Sequence, residues 1–544
     1  MIGHRTSAAE LAAQPWEVLV IGGGIVGAAI ARDAAMRGYR VALVEQGDFG
    51  AGTSSHSSRL AHGGLRYLEH GDFKLVMEAL RERGTLLRIA PHLVHPLPFV
   101  FPVHRGDRVG FWKLMAGMWL YDLLALFRNV PRHRMLGKRA LLRAEPMLRE
   151  RGLVGGARYF DAQMDDARLT LATIRSAERH GALAASGVRV TALEMAGGRV
   201  GGARVEDLVE GGAVLLRATV VVNATGPWVD HLRRMDDPAA VPLLRLTKGV
   251  HAMVPRERIG HHDAITITSA IDGRVMFILP WGELSYIGTT DTDTGEPPEA
   301  TRASPEDILY LLRSANAMFP NAHLVPEDVI STWAGLRPLL ADPAAASTAS
   351  VSREHAILRS ASGMLTIAGG KLTTHREMAA QLVDRIGGEF RQLEGRRVPP
   401  RAPTDREPLP GGEAADLEPF RREALEAGLA PESAEHLLRH FGGETSAVLN
   451  LIRNDRRLAE RLEPGHPAIA ATVVQAARRE HARTVEDVLV RRIHLYYETR
   501  DRGRGAAPRV AELLGAELGW DAGQIEAAAA DYAARVDAGG FSEE

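Results

Sequence analysis

The chain has 544 residues, 45% of them apolar and 25% charged, with 66 Lys and Arg set against 68 Asp and Glu. That length can bury several cores, and the near-zero net charge excludes a global basic field for holding nucleic acid. Cysteine is absent, which excludes disulfides, thiolate metal centres and thiol catalysis and suits a reducing compartment. Residues 1–16 contain no apolar core of a secretory signal, and no apolar run reaches the ~18 residues of a membrane-spanning helix. Only Lys74, Lys113, Lys138, Lys248 and Lys371 are lysines; every other cation is Arg.

In chain order, Trp16–Ile21 reads as a buried β-strand. Gly22-x-Gly24-x-x-Gly27 follows directly, then a small-residue helix over 28–37 that stops at Gly38. A second buried strand over 39–44 ends on Glu45, completing a βαβ unit. Residues 50–70 form a Gly-, Ser- and His-rich loop, 72–89 a helix, and 93–103 an extended segment. Residues 111–127 form the most apolar helix, and 165–180 another that ends at Gly181. Short strands and turns fill 186–222, ending in Asn223-Ala-Thr-Gly226. Residues 241–300 are β-rich. Ser304-Pro305-Glu306-Asp307 then opens a helix with an N-cap, a proline at N1 and an acidic first turn. A last strand over 363–368 runs into Gly369-Gly370-Lys371. Residues 396–412 hold five prolines and predict a linker; 413–544 are Ala-, Leu-, Glu- and Arg-rich and predict a separate all-α domain.

The glycine fingerprint lies between strand and helix, with an acid at the end of the second strand. That arrangement calls for a dinucleotide. The glycines permit close approach to a pyrophosphate, the helix N-terminus supplies N–H groups, and Glu45 can accept a ribose hydroxyl. Gly22, Gly24, Ile25, Val26 and Gly27 are therefore candidate cofactor contacts. The hydroxyl-rich loop Thr53-Ser54-Ser55-His56-Ser57-Ser58-Arg59 offers more, notably Thr53, Ser54 and Ser58. Asn223-Ala-Thr225 matches a glycosylation sequon without a secretory signal. Neither HExxH nor GxSxG occurs, so no metal site is expected and hydrolase chemistry is disfavoured. Asp291 and Asp293 read as turn residues.

Five segments together make the sequence resemble the FAD-dependent glycerol-3-phosphate dehydrogenases. They are the Ile21–Gly27 fingerprint with Asp33 and Arg37-Gly38; Thr53-Ser-Ser55 through His62-Gly-Gly-Leu-Arg66-Tyr67-Leu-Glu69; Asn223-Ala-Thr-Gly-Pro-Trp228; Gly335-Leu-Arg337-Pro338; and Gly369-Gly-Lys371-Leu-Thr-Thr374. Two positions depart from the family pattern: Ala29 stands where Gly is usual and His375 where Tyr is usual. The resemblance implies an α/β protein with a Rossmann-type FAD-binding domain assembled from separated segments (about 15–90, 150–230 and 330–390). A β-rich substrate-capping domain (about 91–149 and 240–330) and an all-α C-terminal domain complete it, the body spanning 15–395. It adds Val190, Ala224, Gly226, Trp228, Gly370, Lys371, Leu372 and Thr373 to the cofactor contacts.

It also implies oxidation of sn-glycerol 3-phosphate to dihydroxyacetone phosphate, with electrons passing through FAD to a membrane quinone. The chain would then be a cytoplasmic protein held peripherally on the inner face of the membrane, with a homodimer as one candidate assembly. A phosphate substrate needs fixed cations, for which Arg66, Arg337, Arg353 and Lys371 are candidates, with Tyr67 and His251 beside them. Alcohol oxidation needs a base near neutral pKa, and His62 and His251 both fit. Lys371 at a strand end would stabilise negative charge on the reduced ring. The 111–127 helix, with two Trp and one Tyr, precedes a stretch whose charges are all basic from Arg128 to Arg143, which suits either an interfacial membrane contact or a buried helix. An oxidase passing electrons to O₂, an FAD amino-acid or amine oxidase, and a non-catalytic flavin scaffold remain as alternatives.

Overall fold

The structure, a computed structural model, describes residues 5–65, 68, 71–125, 131–341 and 354–539. Arg66, Tyr67, Glu69 and Arg353 lie outside them, as do residues 126–130 at the end of the apolar stretch.

Two sheets organise the body. The first has the order His355–Arg359, Leu365–Gly369, Ala213–Asn223, Trp16–Ile21, Val41–Val44, Leu183–Ala185. Neighbours along this path are parallel except the outermost pair, 355–359 with 365–369, and an antiparallel hairpin, Val188–Ala196 with Arg199–Asp207, extends the sheet from the start of Ala213–Asn223. Val18–Ile21, Val41–Val44 and Val220–Asn223 are buried, because a parallel sheet is covered on both faces, so the first two read as continuous apolar runs. Helix Ile25–Met36 packs between helices Asp166–Arg179 and His375–Glu394. Its alanines allow that close approach, and Ala29 is among the buried ones. Arg37 ties the layer together by bonding Asp33 at 2.6 Å and Asp384 at 2.7 Å.

The second sheet has ten strands and is mostly antiparallel. Leu244–Pro255 and Ser331–Leu340 pair over ten residues, placing Arg337 opposite Thr247 and Trp333 opposite His251. The Ser304 capping box is present and starts helix Pro305–Met318. Helix Phe111–Leu124 lies on this domain with Leu114, Met118, Tyr121 and Asp122 buried, while Trp112 is 74% and Trp119 55% exposed. It is thus half-buried, with its aromatic face outward.

Residues 396–412 form no helix or strand, but they are anchored. Arg32 donates to the Thr404 and Glu407 carbonyls, and Leu409 is buried. The helices after them, from Glu418–Glu426 to Ala522–Asp537, have a core of their own around Leu437, Leu449 and Ile452. A larger cluster joins them to the second sheet, with Val473, Leu489, Tyr496 and Tyr497 continuous with Phe99, Tyr159, Tyr286 and Trp333. The predicted all-α region is therefore separate along the sequence but shares apolar burial with the capping sheet.

Candidate active site

A cavity of about 360 Å³ follows the carboxyl ends of the parallel strands and is roofed by the second sheet. Ligands of open α/β sheets bind at such strand ends. Of the predicted cofactor residues, Gly22, Gly24, Ile25, Val26, Glu45, Thr53, Ser54, Ser58, Val190, Ala224, Gly226, Trp228, Gly370, Lys371, Leu372 and Thr373 all line it. Gly27 does not. A Cβ there would strike the Gly22 carbonyl, so its role is to let the helix sit against the strand–helix turn. Gly22 has φ of +110° and a Cβ on it would lie 2.6 Å from the Ala224 carbonyl oxygen. The third sequence segment is thus pressed onto the first.

The cradle fits a dinucleotide on the structure's own terms. Helix Ile25–Met36 begins with Gly24 as N-cap and no side-chain cap, leaving its positive end to the cavity. Ser54 Oγ accepts from Ile25 N at 2.9 Å and fixes the loop against it. The Glu45 carboxylate accepts from Gly23 N at 2.7 Å and Gly47 N at 2.9 Å. Burial raises its pKa, and these two N–H bonds work against that rise. A buried carboxylate held at the end of the second strand is the group a ribose diol requires.

The roof brings His251 and Arg337 to the same cavity, which His62 and Lys371 also line. Arg337 donates to Thr289 Oγ1 at 3.0 Å and the Thr290 carbonyl at 3.2 Å, and pairs with Asp291 at 3.2 Å. Asp291, expected to be a plain turn residue, is thus part of the site. Asp293 instead pairs with Arg245 at 2.6 Å away from it. Gly249 makes room for this arginine, since a Cβ there would collide with its guanidinium. His251 stacks on Trp333 with ring centres 4.8 Å apart, and its Nε2 is 2.8 Å from Ser58 Oγ. Gly288 opens the space its ring fills. Burial, reinforced by the Arg337 and Arg59 charges, holds the His251 pKa well below the usual imidazole range. The ring is therefore neutral and able to accept a proton.

His375, which stands where the family usually has Tyr, is not on the cavity wall. Its Nδ1 is 2.7 Å from the Leu372 carbonyl, and burial lowers its pKa to about 4. Two participants were not singled out in the sequence. His56 lines the cavity, with a pKa lowered by burial to about 4. Arg59 lies fully buried over the rings of Trp281, Trp333 and Tyr497, and pairs with Asp166 at 3.8 Å. Its place in the hydroxyl-rich loop was a positional hint, but an aromatic box assembled from residues 281, 333 and 497 leaves no local pattern.

A second cavity, about 430 Å³, shares Ser58, Leu60, His62 and Arg337 with the first. It extends past Phe99, Phe101 and Phe277 to Lys113, Leu114, Gly117 and Leu120 of the aromatic helix.

The family model described as "FAD dependent oxidoreductase" matches residues 17–376, and that described as "C-terminal domain of alpha-glycerophosphate oxidase" matches 402–525. Fold, cavity and match together define an FAD-dependent oxidoreductase. "Glycerol-3-phosphate dehydrogenase 2" of Mycobacterium tuberculosis is 40% identical over 538 residues, 97% of this chain and 89% of that relative. The mitochondrial glycerol-3-phosphate dehydrogenase of Macaca fascicularis is 37% identical, over 93% of this chain and 71% of that relative. The crystal structure of the glycerol-3-phosphate dehydrogenase from Bacillus halodurans, complexed with FAD, superimposes with a TM-score of 0.80 at 30% identity, covering 98% of this chain and 95% of that one. The chain belongs to the FAD-dependent glycerol-3-phosphate dehydrogenase family.

Proposed function

We propose that the protein oxidises sn-glycerol 3-phosphate to dihydroxyacetone phosphate and delivers the electrons to a membrane quinone. The observation that carries this reading is the meeting of Arg337, His251, His62 and Lys371 on the wall of the dinucleotide cavity. FAD, when bound, supplies the hydride acceptor. The chain's own residues bind the phosphate, take the hydroxyl proton and exclude water.

Arg337 clamps the phosphate. Its fork is pre-set by Thr289, Thr290 and Asp291, so little side-chain freedom is lost on binding. Lys371, following two positive-φ glycines, adds a second positive charge at the strand end. Arg66, Tyr67 and Arg353 complete the substrate-binding set in this reading. His251 accepts the hydroxyl proton; Ser58 and the Trp333 stack fix its ring. Burial is the larger cause of the low His251 pKa; a dianionic substrate beside Arg337 offsets the smaller contribution of the Arg337 and Arg59 charges, so binding makes this histidine a better base. His62, on the wall common to both cavities, orients the reacting hydroxyl.

The second cavity supports the choice of acceptor. It is walled by aromatic and aliphatic side chains and leads from the first cavity to helix Phe111–Leu124, whose far side exposes Trp112, Trp119 and Leu123. Among the described residues no helix is long and apolar enough to cross a membrane. An exposed aromatic face near Lys113, Arg132, Arg134 and Lys138 is suited to resting on an anionic lipid surface on the inner side of the cytoplasmic membrane. In this reading residues 15–395 carry the redox chemistry, 396–412 connect, and 413–544 brace the capping sheet.

The test is anaerobic. Glycerol 3-phosphate is expected to bleach the flavin absorption of the purified holoprotein, and a short-chain quinone to restore it. A flavin that does not bleach removes the substrate assignment. Reoxidation by air as fast as by quinone replaces the quinone with O₂.

A further inference from the structure

Away from the flavin cavity, the junction between the body and the C-terminal helices contains a buried group of nitrogen and oxygen ligands. Asp165 is the N-cap of helix Asp166–Arg179; its Oδ1 accepts from Arg168 N at 3.0 Å. Its Oδ2 lies 2.6 Å from Nε2 of His494. His440, at the end of helix Pro431–Phe441, completes a trio whose ligand atoms all lie within 4.8 Å of one another.

The second contacts of these imidazoles are those of metal ligands. His440 Nδ1 is 2.8 Å from the His436 carbonyl and His494 Nδ1 is 3.0 Å from the Val490 carbonyl. Each Nδ1–H therefore donates to backbone, which leaves Nε2 as the coordinating atom. Nε2 of His440 is buried with no hydrogen-bond partner. The same holds for Nε2 of His436, a residue 92% buried whose ring centre is 4.0 Å from that of His440. Two such imidazole nitrogens side by side leave hydrogen-bonding capacity unused inside the protein, which is costly unless something binds them.

We propose that Asp165, His440 and His494 form a binding site for a divalent transition-metal ion, zinc fitting best, with His436 adjoining the trio beside His440. Two or three imidazoles and one carboxylate, without thiolate, make a tetrahedral zinc set. The local charge accommodates a dication. Arg168 is neutralised by Glu480 through bonds of 2.6 and 2.7 Å, and Arg59 is paired with Asp166, so the partner an ion displaces from Asp165 is the His494 proton. Ligand atoms on a zinc ion stand about 3.3 Å apart, so the 2.6 Å Asp165–His494 pair opens slightly on binding and releases the proton it shares. Asp165 belongs to the body and both histidines to the C-terminal region. The ion therefore pins one to the other and takes no part in the redox reaction.

The sequence gives only a weak trace of this site. His436 and His440 are spaced i, i+4 on one helix, while the other ligands come from residues 165 and 494.

The experiment uses tag-free, FAD-loaded full-length protein, treated with chelator and then dialysed against zinc. One zinc per chain is expected by elemental analysis, with a melting temperature raised by about 5 °C. Cobalt should give tetrahedral ligand-field bands to the red of the flavin absorption. His440→Ala should weaken binding by about 100-fold or more while keeping the flavin spectrum. Should that variant fail to fold, Asp165→Asn keeps the shape and should show the same loss. Wild-type protein that retains no zinc, cobalt bands of octahedral type, or equal binding by wild type and either variant would each overturn the site.

Discussion

The flavin cavity and the junction with the C-terminal helices are both rich in polar groups, but they use them in opposite ways. At the cavity the polar groups are presented. The Ile25–Met36 helix starts without a side-chain cap, and Arg337 is held open by Gly249. At the junction the charges close on one another. Asp48 receives Arg491 at 2.5 Å and Arg492 at 2.7 Å, and Arg168 meets Glu480. The cavity holds its polar side chains by a few bonds each and turns them towards space that a ligand can fill. The junction satisfies its ions internally and so converts burial into register between two parts of the chain. The exception is the His436–His440 pair, which behaves at the junction as groups do at the cavity.

The junction should be the more fragile region. Asp48→Ala leaves the Arg492 guanidinium buried without its carboxylate and should cost about 3–5 kcal/mol, read as a large drop in thermal midpoint whether or not FAD is present. A drop confined to the FAD-free protein would mean that the network serves the cofactor site instead.

Acid should also act through buried histidines. His56, His261, His375 and His440 are held at about 4 by burial, against an ordinary value near 6.5. A depressed imidazole pKa contributes stability that is present above 6.5 and lost as pH falls towards 4. Each such group can contribute up to about 1.4 kcal/mol per pH unit in that window. His494, raised by the Asp165 carboxylate against the effect of burial, runs the other way and stabilises below its ordinary value. The melting temperature should therefore fall clearly as pH drops from about 6.5 towards 4. A flat profile would show that these rings take up protons in the folded state.

At the cavity, Arg337→Ala should raise the KM for glycerol 3-phosphate about 100-fold, or about 2.7 kcal/mol, and change turnover of unphosphorylated glycerol little. Equal losses on both would remove the phosphate role and leave Arg337 as a strut between strands. The smallest effect belongs to the outer face. Trp112→Ala with Trp119→Ala should weaken binding to anionic vesicles about 10-fold, with activity towards a soluble acceptor unchanged. Unchanged vesicle binding would assign the exposed face to another partner.

Much of the cavity was legible in the sequence because its parts are local devices. The fingerprint, the acid at a strand end and the Gly-Gly-Lys turn each depend on neighbours a few residues apart, and each formed where its spacing placed it. Gly27 is the instructive miss among the cofactor contacts. The fingerprint asks for it, but its work is done on the Gly22 carbonyl rather than on a ligand. Asp291 reads only as a turn residue in the sequence because its meaning depends on Arg337, 46 positions away.

By itself, then, the sequence determined the dinucleotide fold, the order of its segments and the turns that line part of the cavity. Backbone turns, helix starts and apolar runs are short-range preferences written in consecutive residues. Only the tertiary structure decided which charges face which. The Arg59 aromatic box, the neutral state of His251 under Trp333 and Arg337, and the meeting of Asp165 with His440 and His494 all join residues far apart in the chain. Their protonation and ligand capacity come from burial and from neighbouring charge, which no single stretch of the chain encodes.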